Sequence, residues 1–240
     1  MTEKAGAVGQ QSNVGPGVMV WTIKNGVFLL ILAIVLFGGS GQIDWVAGWA
    51  FFLLIVLFIA LDGLVLYRID PSLLSERSGP QKGSKGWDLP IASLISVWLP
   101  MALFLVAALD RRYGWSPAFP LWLQIIGLAA TAFGAAVVLW AMATNRYFSA
   151  VVRIQHDRGH RVVSTGPYRI VRHPAYATLV FYEAGAAVAL GSAWALVPAL
   201  LIVVLGVVRT ALEDRTLQKE LPGYAEYAAK VRYMLVPGVW

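Results

Sequence analysis

Long apolar stretches separated by short polar segments are the dominant pattern of the chain. Six of them approach the length that a transmembrane helix requires, roughly 17 to 25 mainly apolar residues. They cover residues 20–37, 45–67, 89–109, 121–143, 174–190 and 193–208. The last two flank Gly191-Ser192, a turn signal that predicts a tight helical hairpin. The pattern predicts an all-α polytopic membrane protein with about six transmembrane helices, or five if residues 174–208 form one interrupted span.

The composition agrees with a bilayer as the solvent of most of the chain. Of the 240 residues, 58% are hydrophobic and 13% are charged, and the mean hydropathy is +0.67. Soluble domains usually carry about 25% charged residues. Apolar side chains at this density exclude intrinsic disorder. The chain has no cysteine, which excludes disulfides, iron–sulfur clusters and thiolate zinc sites.

The basic residues indicate how the predicted helices are oriented. A net charge of +6 at pH 7 fits either a nucleic acid partner or the cytoplasmic face of a membrane protein. If the N-terminus is cytoplasmic, 17 of the 19 lysines and arginines fall in cytoplasmic segments, and only Arg111 and Arg112 fall outside. This bias predicts cytoplasmic N- and C-termini and accounts for the charge without nucleic acid. The expected location is the plasma (inner) membrane of a prokaryote.

Polar composition divides the chain into three regions. Residues 1–18 are rich in glycine and polar residues, which predicts a disordered tail. Residues 19–143 contain four predicted helices with few polar groups and are interpreted as a transmembrane scaffold. Within them, Gly127, Thr131 and Ala135 are spaced four apart and predict a face that a neighbouring helix can approach closely. Residues 144–240 are predicted to be the functional core.

The segment between the fourth and fifth predicted helices is the most informative part of this core. Residues 145–173 form a 29-residue connection with six arginines and all three histidines of the chain. Such a length exceeds that of a simple turn and is typical of functional loops. Its many aromatic and β-branched residues predict that it is ordered.

Counting from the predicted hairpin turn places several polar residues at one depth. His173 and Arg209 each lie 18 residues from Gly191, so both are about 27 Å from the turn on antiparallel helices. Tyr176 accompanies His173, and Glu213 lies one helical turn beyond Arg209. The spacing predicts either a polar pocket at the cytoplasmic boundary or a solvated cluster of charges that closes the span. A neutral imidazole is expected for His173, because it precedes a helix N-terminus.

Two acidic residues fall inside predicted helices, where an ionised side chain costs about 2.5–3.5 kcal/mol at the membrane centre. Glu183 lies seven residues beyond Tyr176 on the same helix face, so it either lines the same pocket or is a structural acid. Asp62 is interpreted as structural. The motif His156-Asp157-x-x-His160 lacks a clear third ligand, so no metal is predicted.

Four ordered motifs in the core carry a resemblance to a known family. They are Val162-Val163-Ser164-Thr165-Gly166-Pro167-Tyr168, Arg172-His173-Pro174-Ala175-Tyr176, Arg209-x-x-x-Glu213-Asp214 and Gly223-Tyr224-x-x-Tyr227. Over residues 145–237 the chain resembles the isoprenylcysteine carboxyl methyltransferase family, whose core is shared with phospholipid N-methyltransferases and bacterial thiol methyltransferases. Two positions differ from the family pattern. Asp214 stands where a second glutamate is frequent, and Thr178 stands where a glycine is frequent.

The resemblance implies an integral-membrane methyltransferase that uses S-adenosyl-L-methionine, with a lipophilic or lipidated acceptor that enters from the bilayer. Cofactor contacts are implied at positions that match family motifs: Gln155, His160, Arg161, Val162, Val163, Gly166, Tyr168, His173, Pro174, Ala175, Tyr176 and Glu213. Arg209 matches the arginine that orients the substrate. Arg209 and Glu213 are the candidate catalytic residues, and Glu183 is a further candidate for substrate binding.

The residue types suit methyl transfer from a sulfonium, in which positive charge disappears and orientation matters more than acid–base power. A carboxylate acceptor is already nucleophilic, and an arginine fork such as that of Arg209 can hold it with two hydrogen bonds. An amine or thiol acceptor would need a base, for which Glu213, Asp214 and Glu183 are candidates.

Three alternatives to this function stay open from the sequence. One is a phospholipid N- or thiol S-methyltransferase. Another is an NADPH-dependent protein similar to sterol reductases, which the short chain disfavours. The third is a small membrane scaffold or transporter, which is disfavoured because the polar groups lie at one end of the predicted bundle rather than at its midplane.

Overall fold

The protein is a bundle of long apolar helices in a computed structural model, which describes residues 14–69, 71, 73–74 and 83–240. The first four helices are α1 (Val14–Ala33, extended by a π-helical turn at Ile34–Gly38), α2 (Val46–Ile69), α3 (Asp88–Tyr113, with a π-helical turn at Leu94–Trp98) and α4 (Leu121–Thr144). The remaining helices are α5, built from Pro174–Ala177, a π-helical turn at Val180–Ala184 and Gly185–Ala189, followed by α6 (Leu196–Glu220) and α7 (Tyr224–Lys230). These described ranges contain no strand.

Five of these helices, α1 to α4 and α6, are long and apolar enough to cross a bilayer. The chain is therefore a helical polytopic membrane protein, as its hydrophobic pattern predicts. Helices α1 to α4 alternate in direction, and the short arm α5 returns the chain before α6, so the loop of residues 145–173, the start of α3 and the ends of α4 and α6 lie together. We call this the basic end of the bundle, and the turns near Ser40, Ser116 and Gly191 form the opposite end.

The predicted fifth span is shorter and less regular than its hydrophobic length suggests. Thr178 departs from helical geometry with φ −98° and ψ 0°, and a π-helical turn follows at once. The predicted hairpin is nevertheless present. The chain reverses at Gly191, whose φ of +74° favours glycine, and a Cβ on Gly206 of α6 would lie 2.3 Å from Leu179 Cδ1 of α5. The structure thus combines five long helices with a short, interrupted hairpin arm.

The small-residue face predicted on α4 is the surface on which this arm packs. A Cβ on Gly127 would lie 2.5 Å from the backbone nitrogen of Ala189, and one on Gly185 would lie 2.8 Å from Gly127 O. Thr131 Oγ1 also donates a hydrogen bond to Tyr182 O at 3.3 Å. Helices α4 and α5 are thus in close backbone contact, because small residues let helices approach closely.

The boundary of the N-terminal tail differs from the prediction in part. Helix α1 begins at Val14, so residues 14–18 of the predicted tail are helical, and Pro16 is accommodated in the first turn, where a backbone N–H is not needed. The rest of the predicted tail, residues 1–13, lies outside the described residues. So do Arg77 and Lys82, two of the basic residues that support the predicted orientation.

Candidate active site

A cavity of about 330 Å³ lies at the basic end of the bundle. Its walls come from α3, α4, the loop of residues 145–173, the first turn of α5, α6 and α7. This volume falls within the range of roughly 300–1,000 Å³ that small-molecule sites occupy. Eleven of the fourteen residues that the sequence nominates line it: His160, Arg161, Val162, Val163, Tyr168, His173, Pro174, Ala175, Tyr176, Arg209 and Glu213.

Tyr176 and Glu213 join the two arms of the hairpin across the cavity. The Tyr176 hydroxyl donates a hydrogen bond to Glu213 Oε2 at 3.1 Å. Arg209 lies one turn earlier on α6, with its guanidinium carbon 5.7 Å from the centroid of the Tyr176 ring. The three side chains therefore share one depth in the bundle, as the equal spacing of His173 and Arg209 from Gly191 along the chain predicts.

Asp214 is the buried acceptor around which the adjacent part of the site is built. Arg172 donates to both of its oxygens, from Nε at 2.8 Å and from Nη2 at 3.1 Å. His173 Nε2 lies 3.1 Å from Asp214 Oδ1, the Tyr224 hydroxyl donates to the same oxygen at 2.8 Å, and Gln218 donates to Oδ2 at 2.6 Å. Burial and the nearby Asp214 raise the pKa of Tyr224, so this phenol stays protonated and donates. Asp214 thus orients His173 rather than facing the cavity.

The segment that follows α7 completes the support of Arg172 and His173. Backbone carbonyls of residues 231–234 accept four hydrogen bonds from these two residues, at 2.8–3.0 Å. Two of the four come from the Arg172 guanidinium and two from backbone N–H groups. His173 is therefore held through both its ring and its backbone.

Asp88 is a component of the site that the sequence does not reveal. It is the first residue of α3, its exposed fraction is 0%, and it pairs with Arg209 through two hydrogen bonds of 2.6 and 3.0 Å. Asp88 Oδ2 also accepts the backbone N–H of Val152 at 2.7 Å. In the sequence it is an ordinary acid at a helix N-terminus, where the helix dipole favours a carboxylate. Its one distinguishing signal is that it falls at the same predicted membrane boundary as Arg209.

The loop of residues 145–173 forms the outer wall of the cavity. It is ordered around two short 3₁₀ turns, His156–Arg158 and Gly166–Arg169. The rings of Tyr147 and His160 lie 4.6 Å apart, and His160 Nδ1 accepts the backbone N–H of Gln155 at 3.4 Å. Burial, followed by the positive charges of Arg153 and Arg158, lowers the pKa of His160 to about 4. His160 is therefore a neutral, packed imidazole at neutral pH.

Three residues nominated from the sequence do not line the cavity. Gln155 has an exposed fraction of 1%, and its amide is engaged by Tyr147 O at 2.7 Å and Arg158 Nη1 at 2.7 Å, so it shapes the loop. Gly166 packs against the end of α4, where a Cβ would lie 2.7 Å from Thr144 Oγ1. Glu183 is buried in the π-helical turn of α5 and is not among the residues that line the cavity.

Other charged or unusual positions have structural surroundings. Thr178, which stands where the family frequently has glycine, donates to Ala175 O at 3.0 Å, so its buried hydroxyl is satisfied. Asp157 pairs with Arg153 at 3.1 Å. Within the described part of the chain, no group of three histidine or acidic side chains is placed to hold a metal ion.

Comparison with known proteins agrees with the resemblance seen in the motifs. Residues 125–219 match the model of the isoprenylcysteine carboxyl methyltransferase (ICMT) family. Two curated relatives, each named "Probable protein-S-isoprenylcysteine O-methyltransferase" and found in Oryza sativa subsp. indica and subsp. japonica, are 32% identical over 66 residues. The aligned part is 27% of this chain and 35% of each relative, so the chain spans about a third of the proteins that it matches.

The matched segment coincides with one side of the cavity. It contains most of α4, the loop, α5 and nearly all of α6, and therefore His173, Tyr176, Arg209 and Glu213. Asp88 and α7 lie outside it. The resemblance to the ICMT family is thus confirmed for the elements that form the centre of the site, while α3 and α7 complete it with parts that the match does not cover.

Proposed function

We propose that the protein is a membrane methyltransferase that takes its methyl group from S-adenosyl-L-methionine and transfers it to a lipophilic or lipidated acceptor. A carboxylate acceptor of the isoprenylcysteine type is favoured. The observation that carries the proposal is a cavity at the basic end of an apolar bundle, lined by Tyr176, Arg209 and Glu213 from the family-matched segment.

The charges around the cavity fit a cationic cofactor. Arg172 is paired with Asp214, and Arg209 is paired with Asp88. Glu213 has one hydrogen bond among the described residues, from Tyr176, and Oε1 is left free of protein partners at the cavity wall. Glu213 therefore offers one carboxylate oxygen to a ligand, and a carboxylate favours a bound cation beside it. Glu213 would hold the ammonium group of the cofactor, and the apolar walls at Val162, Val163 and Ala175 suit its nucleoside.

Bound S-adenosyl-L-methionine supplies an electrophilic methyl group on a sulfonium, so the protein needs to bind, orient and exclude water. The loop of residues 145–173 covers the cavity and limits access of water. Val138 and Leu179 line the side that faces the apolar helices, where the hydrocarbon part of an acceptor would lie. Arg209 would orient the polar end of the acceptor toward the methyl group.

The membrane location supports the same proposal. With 17 of the 19 basic residues at the predicted cytoplasmic side, the cavity would open toward the cytoplasm of a prokaryotic cell, where the cofactor is made. Membrane lipids are then the surroundings of the bundle and one source of acceptors. Neither nucleic acid nor a metal ion is part of the proposed reaction.

A second candidate is methyl transfer to a lipid amine or thiol. The observation in its favour is that the Nε–Nη2 edge of Arg209 is occupied by Asp88, so the predicted two-bond clamp on a carboxylate is not available. Glu213 Oε1 would then act as the base that such acceptors require.

Calorimetry and transfer of labelled methyl groups test the proposal. Purified protein in detergent is expected to bind S-adenosylhomocysteine and to methylate N-acetyl-S-farnesylcysteine but not its carboxamide. Dodecanethiol and phosphatidylethanolamine test the second candidate, and quenching of the fluorescence of the ten tryptophans by NADPH tests a reductase. Absence of S-adenosylhomocysteine binding in wild-type protein would overturn the proposed function.

A further inference from the structure

The carboxylate of Asp88 lies on Arg209 in the position that a substrate carboxylate would take. We infer that Asp88 is a positioning and specificity-determining residue that masks the arginine fork, so that the acceptor is held by Arg209 Nη1 alone. The inference rests on the proposed function, because it concerns how the acceptor is recognised in that cavity.

The hydrogen bonds of the guanidinium group support this reading. A guanidinium has five N–H donors. Nε and Nη2 donate to Asp88 Oδ1 and Oδ2 at 2.6 and 3.0 Å, and Nη2 also donates to Ala150 O at 2.7 Å. Nη1 has no partner within the described part of the chain, and Arg209 lines the cavity. One nitrogen is thus left to face a ligand.

Asp88 is itself held by hydrogen bonds, so the Asp88–Arg209 pair cannot easily rotate to expose the Nε–Nη2 edge of the guanidinium group. Asp88 Oδ2 accepts the N–H of Val152 at 2.7 Å, and Val152 O accepts the N–H of Lys85 at 3.0 Å. On the other side, the Tyr176 ring lies 5.7 Å from the guanidinium carbon. The start of α3, the loop and α5 together define where Nη1 is placed.

As a consequence of this pairing, Arg209 contributes to the orientation of the acceptor rather than to the strength of its binding. Because Asp88 neutralises Arg209, the charge of an anionic acceptor adds little to its affinity, and a neutral acceptor loses little affinity by lacking that charge. The rigid pair instead fixes the direction of a single hydrogen bond, which determines the angle at which the acceptor meets the methyl group. Removal of the Asp88 charge would free the fork, strengthen carboxylate binding and loosen its orientation.

The variant Asp88→Asn tests this in two ways. Binding of N-acetyl-S-farnesylcysteine and of its carboxamide is measured by tryptophan fluorescence, and methyl transfer is measured with the acid. We expect the acid to bind about tenfold more tightly and the carboxamide to bind as before, while kcat falls about tenfold. KM and kcat thus fall together, whereas a purely structural role would raise KM. An equal change in the binding of acid and carboxamide would overturn the inference.

Two control variants separate this role from the general effect of losing a buried acid. Asp110 is also buried, accepts hydrogen bonds from Ser116 and Ser192, and lies at the opposite end of the bundle. Asp110→Asn is expected to lower thermal stability without changing the ratio of acid to carboxamide binding. Asp88→Glu keeps the charge, so the ratio is expected to stay at the wild-type value. A raised ratio in either variant would contradict masking by Asp88.

Wild-type protein provides a measurement that does not depend on folding of a variant. Masking predicts that acid and carboxamide bind within about tenfold of each other, and a preference for the acid of about a hundredfold or more would refute it. Acceptor binding and methyl transfer are measured separately, so the inference about Asp88 and the proposed function can be refuted independently. If the binding ratio responds to Asp88→Asn but no methyl transfer occurs, the proposed function falls and the role of Asp88 stands. If methyl transfer occurs but the ratio of acid to carboxamide binding does not respond to Asp88→Asn, the proposed function stands and the inferred role of Asp88 falls.

Discussion

The Tyr176 hydroxyl donates to Glu213 Oε2 at 3.1 Å and thereby links the two arms of the hairpin inside the cavity. The hydrogen bond occupies one carboxylate oxygen of Glu213 and leaves Oε1 for a ligand. It also ties the irregular first turn of α5 to the regular helix α6. The site is therefore assembled across a helix pair whose relative depth is set by the turn at Gly191.

Glu213 is expected to carry most of the electrostatic attraction for the cofactor. Glu213→Gln should weaken S-adenosylhomocysteine binding by about 1.5–3 kcal/mol, because a hydrogen bond to a charged group is lost. Tyr176→Phe should cost about 0.5–1.5 kcal/mol, since it removes a neutral donor and leaves the charge. Calorimetry in detergent measures both. Equal losses in the two variants would argue against an ammonium group at Glu213.

Asp214 is expected to be a stability residue. Asp214→Asn leaves Arg172 buried without its counterion, which should lower the free energy of unfolding by about 3–5 kcal/mol. Thermal unfolding monitored by circular dichroism measures the change, and the exposed acid Glu226, as Glu226→Gln, is the control. A stable Asp214→Asn variant that binds S-adenosylhomocysteine normally would show that Asp214 does not support His173.

The contact between α4 and α5 is expected to tolerate no added side chain. Gly185→Ala places a methyl group 2.8 Å from Gly127 O and Thr131 Oγ1, and overpacking of this kind costs about 1–3 kcal/mol. Gly26→Ala is a matched control, because a Cβ at Gly26 meets nothing within 4 Å. Thermal midpoints compare the two. Equal stability of Gly185→Ala and Gly26→Ala would contradict a close backbone contact between α4 and α5.

His160 is expected to make the protein sensitive to acid. Its pKa is lowered in the folded state from 6.5 to about 4, first by burial and then by neighbouring arginines. Between these pH values the unfolded chain binds a proton that the folded protein does not, so stability falls as the pH is lowered through this window. In His160→Gln the loss of stability with falling pH should be less steep, as measured by thermal midpoints from pH 7 to pH 4. An unchanged slope would mean that His160 is not buried in the neutral form.

Local pattern was sufficient to predict the helices and the depth of the site. The hydrophobic lengths correspond to α1 to α4 and α6, and the equal spacing of His173 and Arg209 from Gly191 brings α5 and α6 into register. These features depend on the rise of a helix and on the thickness of a bilayer, which are the same in every membrane protein. The small-residue face on α4 is also predicted by spacing alone, because residues four apart lie on the same face of any α-helix.

Residues whose role depends on distant partners were not predictable in this way. Gln155, Gly166 and Glu183 match family positions or fall on a suitable face, but the fold directs them into the loop, against α4 and into the π-helical turn. The π-helical turn of α5 includes Glu183 and shifts the helical phase that the seven-residue spacing from Tyr176 assumes. Such a local widening of a helix leaves no mark in the hydrophobic pattern.

The sequence by itself determined the class of fold, the orientation bias and eleven of the residues that line the cavity, because length, polarity and spacing are properties of the chain taken segment by segment. Only the tertiary structure decided that Asp88 neutralises Arg209 and that Asp214 anchors His173. The two partners of the Asp88–Arg209 pair are 121 residues apart. A buried charge is satisfied by whichever partner helix packing brings within hydrogen-bonding distance, and that packing depends on the whole bundle.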